Sequence, residues 1–341
     1  TVGLNFYELT NYTNINCIHK GDFIVYTATD KRTNDVVCIT QFEKVFGNTI
    51  KALRVFRPIL YMVELQTHDN FINLIDIKIS GHELDVFLIM EYGEKNLLDL
   101  SKSDVVLEEI HFKYIVYQLL LTVHYLHSGD LVHGDIRARN ILVNNDYTIK
   151  LRSFDKLKSI HVNEIEYDKG VIVDDGDDFE WYYTPEELCG AKITKESDIW
   201  YLGCIIGELL VKGPFFRTHT EMNLLNQIIQ LAGKPSTEDI DAFNTPFAET
   251  MIRYIINEKF KPISFKKKLK HVNVNEECID LLSKLLQFNP KKRIDTLTAL
   301  NHPYFKDIYN EKDIKQFENP IQTILDDEEY ANYFPLSDYR S

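Results

Sequence analysis

The sequence predicts an α+β protein of two lobes, in which a small antiparallel sheet with one helix precedes a larger, mainly helical part. Apolar and polar residues alternate through the first third of the chain, as they do in strands. From Glu108 onward the spacing becomes helical, with Ile115, Leu119 and Leu126 on one face. The composition, 44% hydrophobic and 26% charged in 341 residues, is that of a globular chain that can fill a core.

The clearest strand pattern lies in residues 12–40 and predicts an antiparallel hairpin. Ile24, Tyr26 and Ala28 alternate with polar residues before a polar turn at residues 33–35, and apolar positions resume after it. A helix over residues 51–67 and extended runs over residues 72–79 and 85–90 are expected to complete the first lobe.

The composition shifts near Gly93, which we take as the boundary between the lobes. The predicted division is residues 1–92 for the first lobe, 93–315 for the second, and 316–341 for a C-terminal extension that packs back on the domain.

Charge and cysteine usage narrow the class of function. A net charge of -14 argues against a surface built for nucleic acid or anionic membrane, so protein partners are expected. Five scattered cysteines lack the spacing of a zinc site or a disulfide framework.

No apolar run approaches the roughly 18 residues of a membrane span, and no signal pattern opens the chain. We expect an intracellular protein, cytoplasmic and/or nuclear.

Five ordered motifs carry a family resemblance. Residues 133–140 read HGDIRARN, which has the spacing of the kinase catalytic loop H-R-D-L-x-x-x-N. Residues 181–186 resemble the W-Y-R-A-P-E that closes a kinase activation segment, and residues 198–203 resemble the D-x-W-x-x-G helix that follows it. Residues 288–293 and 302–305 complete the carboxyl-terminal pattern. The chain therefore resembles eukaryotic protein kinases, which implies their bilobal fold.

Within that superfamily, three features are most similar to mitogen-activated protein kinases, with cyclin-dependent kinases next. They are residues 248–255, the stretch from Gly233 onward, and an extension past Phe305.

The resemblance assigns two retained positions to chemistry. Asp135 stands at the catalytic-base position and Asn140 at the second metal position, while Arg137 replaces the lysine that contacts the transferred phosphate. Met90, Glu91 and Tyr92 stand at the hinge that would border an adenine pocket.

The glycine-rich cover over the phosphates is degraded. The pattern G-x-G-x-x-G falls on residues 19–24, one residue short, with His19 and Ile24 at two of the glycine positions. Gly21 alone is retained, and Asp22 places a negative charge where phosphates would lie.

Three charged side chains of the kinase site are also replaced. The lysine of V-A-I-K becomes Thr40, its glutamate partner on the helix becomes Ile59, and the metal-binding aspartate of D-F-G becomes Ser153. A hydroxyl does not replace a carboxylate on Mg²⁺ at equal strength. Asp155, two residues later, is a candidate substitute.

Other retained positions have structural roles in the family. The resemblance implies that His133 and Phe154 belong to a hydrophobic column between the lobes, that Glu186 pairs with Arg293, and that Asp198 bonds the catalytic-loop backbone.

The activation machinery is lost as well. The T-x-Y phosphorylation positions fall on Asp174 and Gly176, and the arginine that reads the phosphate becomes Gly134. We expect no phosphorylation switch of the family's kind.

These observations predict a mitogen-activated-protein-kinase-like pseudokinase that acts as a scaffold, an allosteric partner or a decoy. Its expected partners are proteins, such as an active or upstream kinase of the pathway, and no cofactor or metal is expected. The alternative is an atypical, weakly active serine/threonine kinase that uses Asp135 as base, ATP and Mg²⁺, and Lys20 or Lys44 as a relocated clamp. A third possibility is nucleotide binding without turnover.

Overall fold

The computed structural model describes residues 9–47, 49–80, 84–161, 181–256 and 260–321. The first lobe is an antiparallel five-stranded sheet with one long helix. Its elements are β1 Tyr12–Lys20, β2 Ile24–Asp30, β3 Val36–Phe42, α1 Thr49–Leu65, β4 Leu74–Ile79 and β5 Val86–Glu91. The strand order is β1-β2-β3-β5-β4.

The two faces of this sheet bury different apolar sets. One face carries Val37 and Ile39 of β3 with Ile89 of β5. The opposite face carries Leu88 of β5, against which α1 places Ile59 and its apolar neighbours. Because strand side chains alternate between faces, successive residues of β3 point toward opposite clusters.

The second lobe is mainly helical. Its helices are α2 Leu97–Lys102, α3 Glu109–Ser128, α4 Pro185–Leu188, α5 Lys195–Val211, α6 Glu221–Ala232, α7 Thr237–Asp241, α8 Ala248–Ile255, α9 Phe265–Lys268, α10 Glu276–Leu285 and α11 Thr296–Leu300. Its short strands are β6 Leu131–Val132, β7 Ile141–Val143, β8 Ile149–Leu151 and β9 Lys158–Ser159. Strands β6 and β9 pair, as do β7 and β8.

Helices α3 and α5 form the centre of the second lobe, since most of their residues are buried. Trp200 on α5 is 1% exposed and stacks on Phe216. Full burial of one such side chain contributes about 1.5–3 kcal/mol. This rigid core supports the strands and loops that face the first lobe.

The predicted elements agree with the structure apart from their ends. The helix expected over residues 51–67 begins and ends two residues earlier, and β4 begins at Leu74 instead of Ile72. The strand β1, which the hairpin prediction did not separate, adds a third antiparallel strand. Among the residues that the structure describes, no helix combines the length and apolarity that crossing a bilayer requires.

Candidate active site

The catalytic loop connects β6 to β7 and holds Asp135 in a dense polar network. Asn140 Nδ2 donates to Asp135 Oδ2 at 2.8 Å, and Arg137 Nε lies 2.8 Å from Asp135 Oδ1. Lys156 Nζ is 3.6 Å from the same oxygen. Burial raises the pKa of Asp135, but the attraction of Arg137 and Lys156 outweighs it and leaves the pKa below its ordinary value. The carboxylate is therefore ionised and tied to its own loop.

The backbone of this loop is anchored from α5. The buried carboxylate of Asp198 accepts hydrogen bonds from His133 N and Gly134 N, both at 2.9 Å, and contacts His127 Nε2 at 3.0 Å. Gly134 has a φ of 74°, which glycine adopts without strain. The loop thus keeps its course although the arginine expected at Gly134 is missing.

An aromatic series crosses from the catalytic loop toward the first lobe. His133 and Phe154 lie 5.9 Å apart between ring centroids, and Phe154 lies 6.1 Å from Phe71. Phe71 follows α1, so these rings connect the two lobes. Burial lowers the pKa of His133, which keeps the ring neutral in this apolar setting.

The end of the activation segment is fixed by a buried ion pair. Arg293 binds both carboxylate oxygens of Glu186, each at 2.6 Å, and the two side chains are 0% and 4% exposed. Arg293 also donates to the carbonyl of Gln287, and its guanidinium lies over the ring of Trp200. A bidentate pair of this kind is strong only because its other donors are satisfied.

The position of the kinase ion pair is occupied by uncharged side chains. Thr40 of β3 pairs in register with Leu88, and both residues face α1. Ile59 on α1 is 3% exposed in the same cluster as Leu88 and Val55. A hydroxyl and a sec-butyl group therefore stand on the same side of the sheet, at the positions where the family has a lysine and a glutamate.

The loop over the cleft is a tight turn between β1 and β2. Gly21 N donates to Phe23 O at 3.1 Å, so this amide is used within the turn. The ring of Phe23 lies 5.7 Å from those of His19 and Phe42. The strand β2 begins at Ile24, which is buried. The turn thus packs around the ring of Phe23, whereas a glycine-rich loop would present several free backbone N–H groups to phosphate.

Ser153 and Asn140 stand at the two metal positions of the family. Ser153 has a φ of 68°, and its hydroxyl donates to Asp155 Oδ2 at 3.3 Å. Asn140, at the other metal position, donates its Nδ2 to Asp135, and the atom that would bind a metal is its Oδ1. Mg²⁺ prefers carboxylate and phosphate oxygens in octahedral geometry. Within the described parts of the chain, no group of three or more His, Cys, Asp or Glu side chains could hold a metal ion.

The alternative lysines lie away from Thr40. Lys20 is exposed at the end of β1. Lys44 is exposed and follows the C-terminal end of β3, which is the end farther from the hinge. Its backbone N–H donates to Asp85 Oδ1 at 2.8 Å. The activation-loop positions Asp174 and Gly176 lie outside the described residues.

The hinge contains an ion pair that the sequence did not indicate. Glu91 Oε1 lies 2.8 Å from Lys150 Nζ of β8 and accepts a hydrogen bond from Asn73 N at 2.7 Å. Met90 faces the α1 side of the sheet, and Tyr92 is exposed. The lobes are thus connected by charge as well as by the chain.

Sequence reasoning also missed Arg152, which immediately precedes Ser153. One of its terminal nitrogens donates to Arg139 O at 3.1 Å, and its side chain interacts electrostatically with Cys38 and Asp99. Burial lowers the pKa of this guanidinium. The sequence offered one signal, a long cationic side chain beside Ser153, but the residue that precedes the D-F-G position is not part of any motif.

The comparisons with known proteins agree with this geometry. A protein kinase domain matches residues 12–305. The chain is 35% identical over 335 residues to extracellular signal-regulated kinase 2 of Dictyostelium discoideum, covering 98% of this chain and 89% of that protein. It is 32% identical over 307 residues to mitogen-activated protein kinase 2 of Arabidopsis thaliana, covering 88% and 78%. Against mitogen-activated protein kinase 15 of Xenopus laevis it is 32% identical over 283 residues, covering 82% of this chain and 47% of the relative. The five-stranded sheet, the helical second lobe and the anchored catalytic loop agree with these matches. This chain belongs to the protein kinases and, within them, to the mitogen-activated protein kinase family.

Proposed function

We propose that this kinase domain is a pseudokinase, which does not transfer phosphate and acts by binding other proteins. The observation that carries the proposal is the apolar contact between the sheet and α1, where Ile59 and Thr40 replace a charged pair. Phosphoryl transfer depends almost entirely on positioning and on electrostatic stabilisation, so the loss of both charges removes a central part of the mechanism.

Two further features support the proposal. The Gly21 amide is bonded within its own turn, and Ser153 offers a hydroxyl where a carboxylate would hold the metal. Loss of one preorganised electrostatic group typically slows an enzyme by about 10²–10³. Such losses are not additive, yet even a partial combination would bring a typical kinase rate of about 1–100 s⁻¹ close to background.

The fold anchors suggest what the protein does instead. The Asp198 and Arg293 networks keep the catalytic loop and the end of the activation segment in place. A family member with an intact fold can bind the family's partners without phosphorylating them. We propose an intracellular scaffold, allosteric partner or decoy in a mitogen-activated protein kinase pathway, divided as residues 1–92, 93–315 and 316–341.

A phosphoryl-transfer assay tests this proposal. Purified wild-type protein is incubated with Mg²⁺, labelled ATP and a generic protein substrate, beside Asp135→Asn prepared in parallel. We expect equal background labelling from both proteins. Labelling by the wild type that disappears in Asp135→Asn would refute the proposal, because that change removes only the catalytic carboxylate.

One observation favours the alternative, an atypical serine/threonine kinase. Asp155 interacts electrostatically with Asp135, so a second carboxylate is present near the catalytic one. The named relatives are also kinases. In this case Asp155→Asn should abolish turnover, and Lys20→Met or Lys44→Met should reduce it strongly. Turnover that survives all three changes would exclude this mechanism.

A further inference from the structure

We propose that the side chain of Arg152 occupies, within its own chain, the place between the lobes where a kinase holds the sugar and base of its nucleotide. This inference rests on the proposed function, because a kinase domain that does not transfer phosphate can fill its nucleotide cleft with one of its own side chains. It adds that the obstacle to nucleoside binding is a single side chain.

The strand register shows which way Arg152 points. In the pair β7–β8, Leu142 lies opposite Lys150, so their side chains share one face of this small sheet. Lys150 reaches Glu91 at the hinge, which identifies this face as the one toward the first lobe. Arg152 N donates to Asn140 O at 2.9 Å, so the pairing continues for one more step. Arg152, two residues after Lys150, is therefore on the cleft-facing side.

A hydrogen bond, the strand register and two electrostatic interactions together place the guanidinium between the lobes. Below it is the carbonyl of Arg139 in the catalytic loop, at 3.1 Å. Cys38 of β3 and Asp99 of α2 both interact with its charge. Cys38 pairs in register with Met90, the first hinge residue, and lies on the same face of β3 as Thr40. Arg152 thus extends from the floor of the cleft toward its roof, close to the hinge.

The surrounding surface suits a flat apolar group. Leu142 is 6% exposed and lies directly beneath the hinge, since a Cβ on Gly93 would be 2.8 Å from Leu142 Cδ1. Met90 and Cys38 pair on neighbouring strands of the first lobe, on the face of the sheet that also carries Thr40. A planar base between apolar walls gains from burial, whereas the triphosphate would meet the closed Gly21 turn and Ser153. We therefore infer that Arg152 excludes nucleosides, which would bind in this place without a metal ion.

Adenosine binding to Arg152 variants tests the inference. Melting temperatures are measured for the wild type and for Arg152→Ser with about 2 mM adenosine and EDTA. We expect no shift in the wild type and a rise of about 2 °C or more in Arg152→Ser, the size expected for roughly tenfold excess over the dissociation constant. Arg152→Gln should give a smaller rise than Arg152→Ser, because glutamine is shorter than arginine but still longer than serine.

A matched control is Lys150→Ser, which removes a cation from the same face of the same strand but leaves Arg152 in the cleft. It should show no adenosine shift. A wild type that shifts as much as Arg152→Ser would overturn the inference, as would a folded Arg152→Ser without a shift or an equal shift in Lys150→Ser. If neither Arg152 variant unfolds cooperatively, the side chain is required for the fold and the inference also fails. None of these outcomes affects the phosphoryl-transfer assay, so the two proposals are refuted separately.

Discussion

Rebuilding the missing ion pair is the most informative perturbation of this domain. Thr40→Lys and Ile59→Glu restore the charges that the motifs of the family require, one from β3 and one from α1. Both positions face the apolar cluster beside Leu88, and Thr40 and Ile59 are 8% and 3% exposed. Each single change therefore buries one charge without a partner.

The structure sets the size of the effect. Ile59→Glu loses about 1.5–3 kcal/mol of apolar burial and adds the cost of an unpaired buried ion, so a loss of about 4–6 kcal/mol of unfolding free energy is expected. Thr40→Lys loses little apolar area, and about 3–5 kcal/mol is expected. The double variant allows the charges to meet, so it should be about 2–3 kcal/mol more stable than the sum of the single changes predicts.

Urea denaturation of the four proteins measures this coupling free energy. The matched neutral cycle, Thr40→Met with Ile59→Gln, should show coupling within about 0.5 kcal/mol because it has no charges to pair. Equal coupling in the charged and neutral cycles would refute the reasoning, since it would mean that the two positions do not face each other. Recovered stability without recovered phosphoryl transfer would show that restoring this ion pair is not sufficient for catalysis.

Three further predictions concern stability. Arg293→Met should cost about 3–5 kcal/mol in urea denaturation, because Glu186 is left charged and buried. Gly129→Ala should cost about 1–3 kcal/mol, because the new Cβ would lie 2.8 Å from Phe317 Cδ2 in a close-packed contact. For His68, burial and then Lys315 lower the pKa from 6.5 to about 4. The unfolded state therefore takes up the proton first, and stability present above pH 6.5 falls by about 3 kcal/mol as the pH drops toward 4.

Each of these predictions has a control. Replacing both Arg293 and Glu186 with apolar residues should recover most of the loss, and a single variant as stable as wild type would contradict the argument. In a Phe317→Ala background, Gly129→Ala should cost less than about 0.5 kcal/mol. Between pH 7 and pH 5, His68→Gln should lose about 2 kcal/mol less stability than the wild type, and parallel pH profiles would show that His68 does not carry this dependence.

The sequence by itself determined the fold and showed which residues stand at the motif positions of the family. Strand alternation, helical spacing and the ordered motifs are local patterns, so they can be read without knowing which segments meet. Thr40, Ile59 and Ser153 were found in the same way, because each departs from a motif with fixed spacing. The ends of α1 and β4 were missed by two residues, since packing and capping decide where an element stops.

Only the tertiary structure decided what fills the places of the lost groups. Ile59 and Leu88 come together because α1 packs on the inner face of the sheet, and that contact joins distant segments. Lys150 meets Glu91 only when the second lobe docks against the hinge. Arg152 belongs to no motif, and its hydrogen bond to the catalytic loop and its interactions with Cys38 and Asp99 join segments far apart in the sequence. A sequence pattern records which residue type stands at each motif position, whereas long-range packing decides which side chains lie beside it.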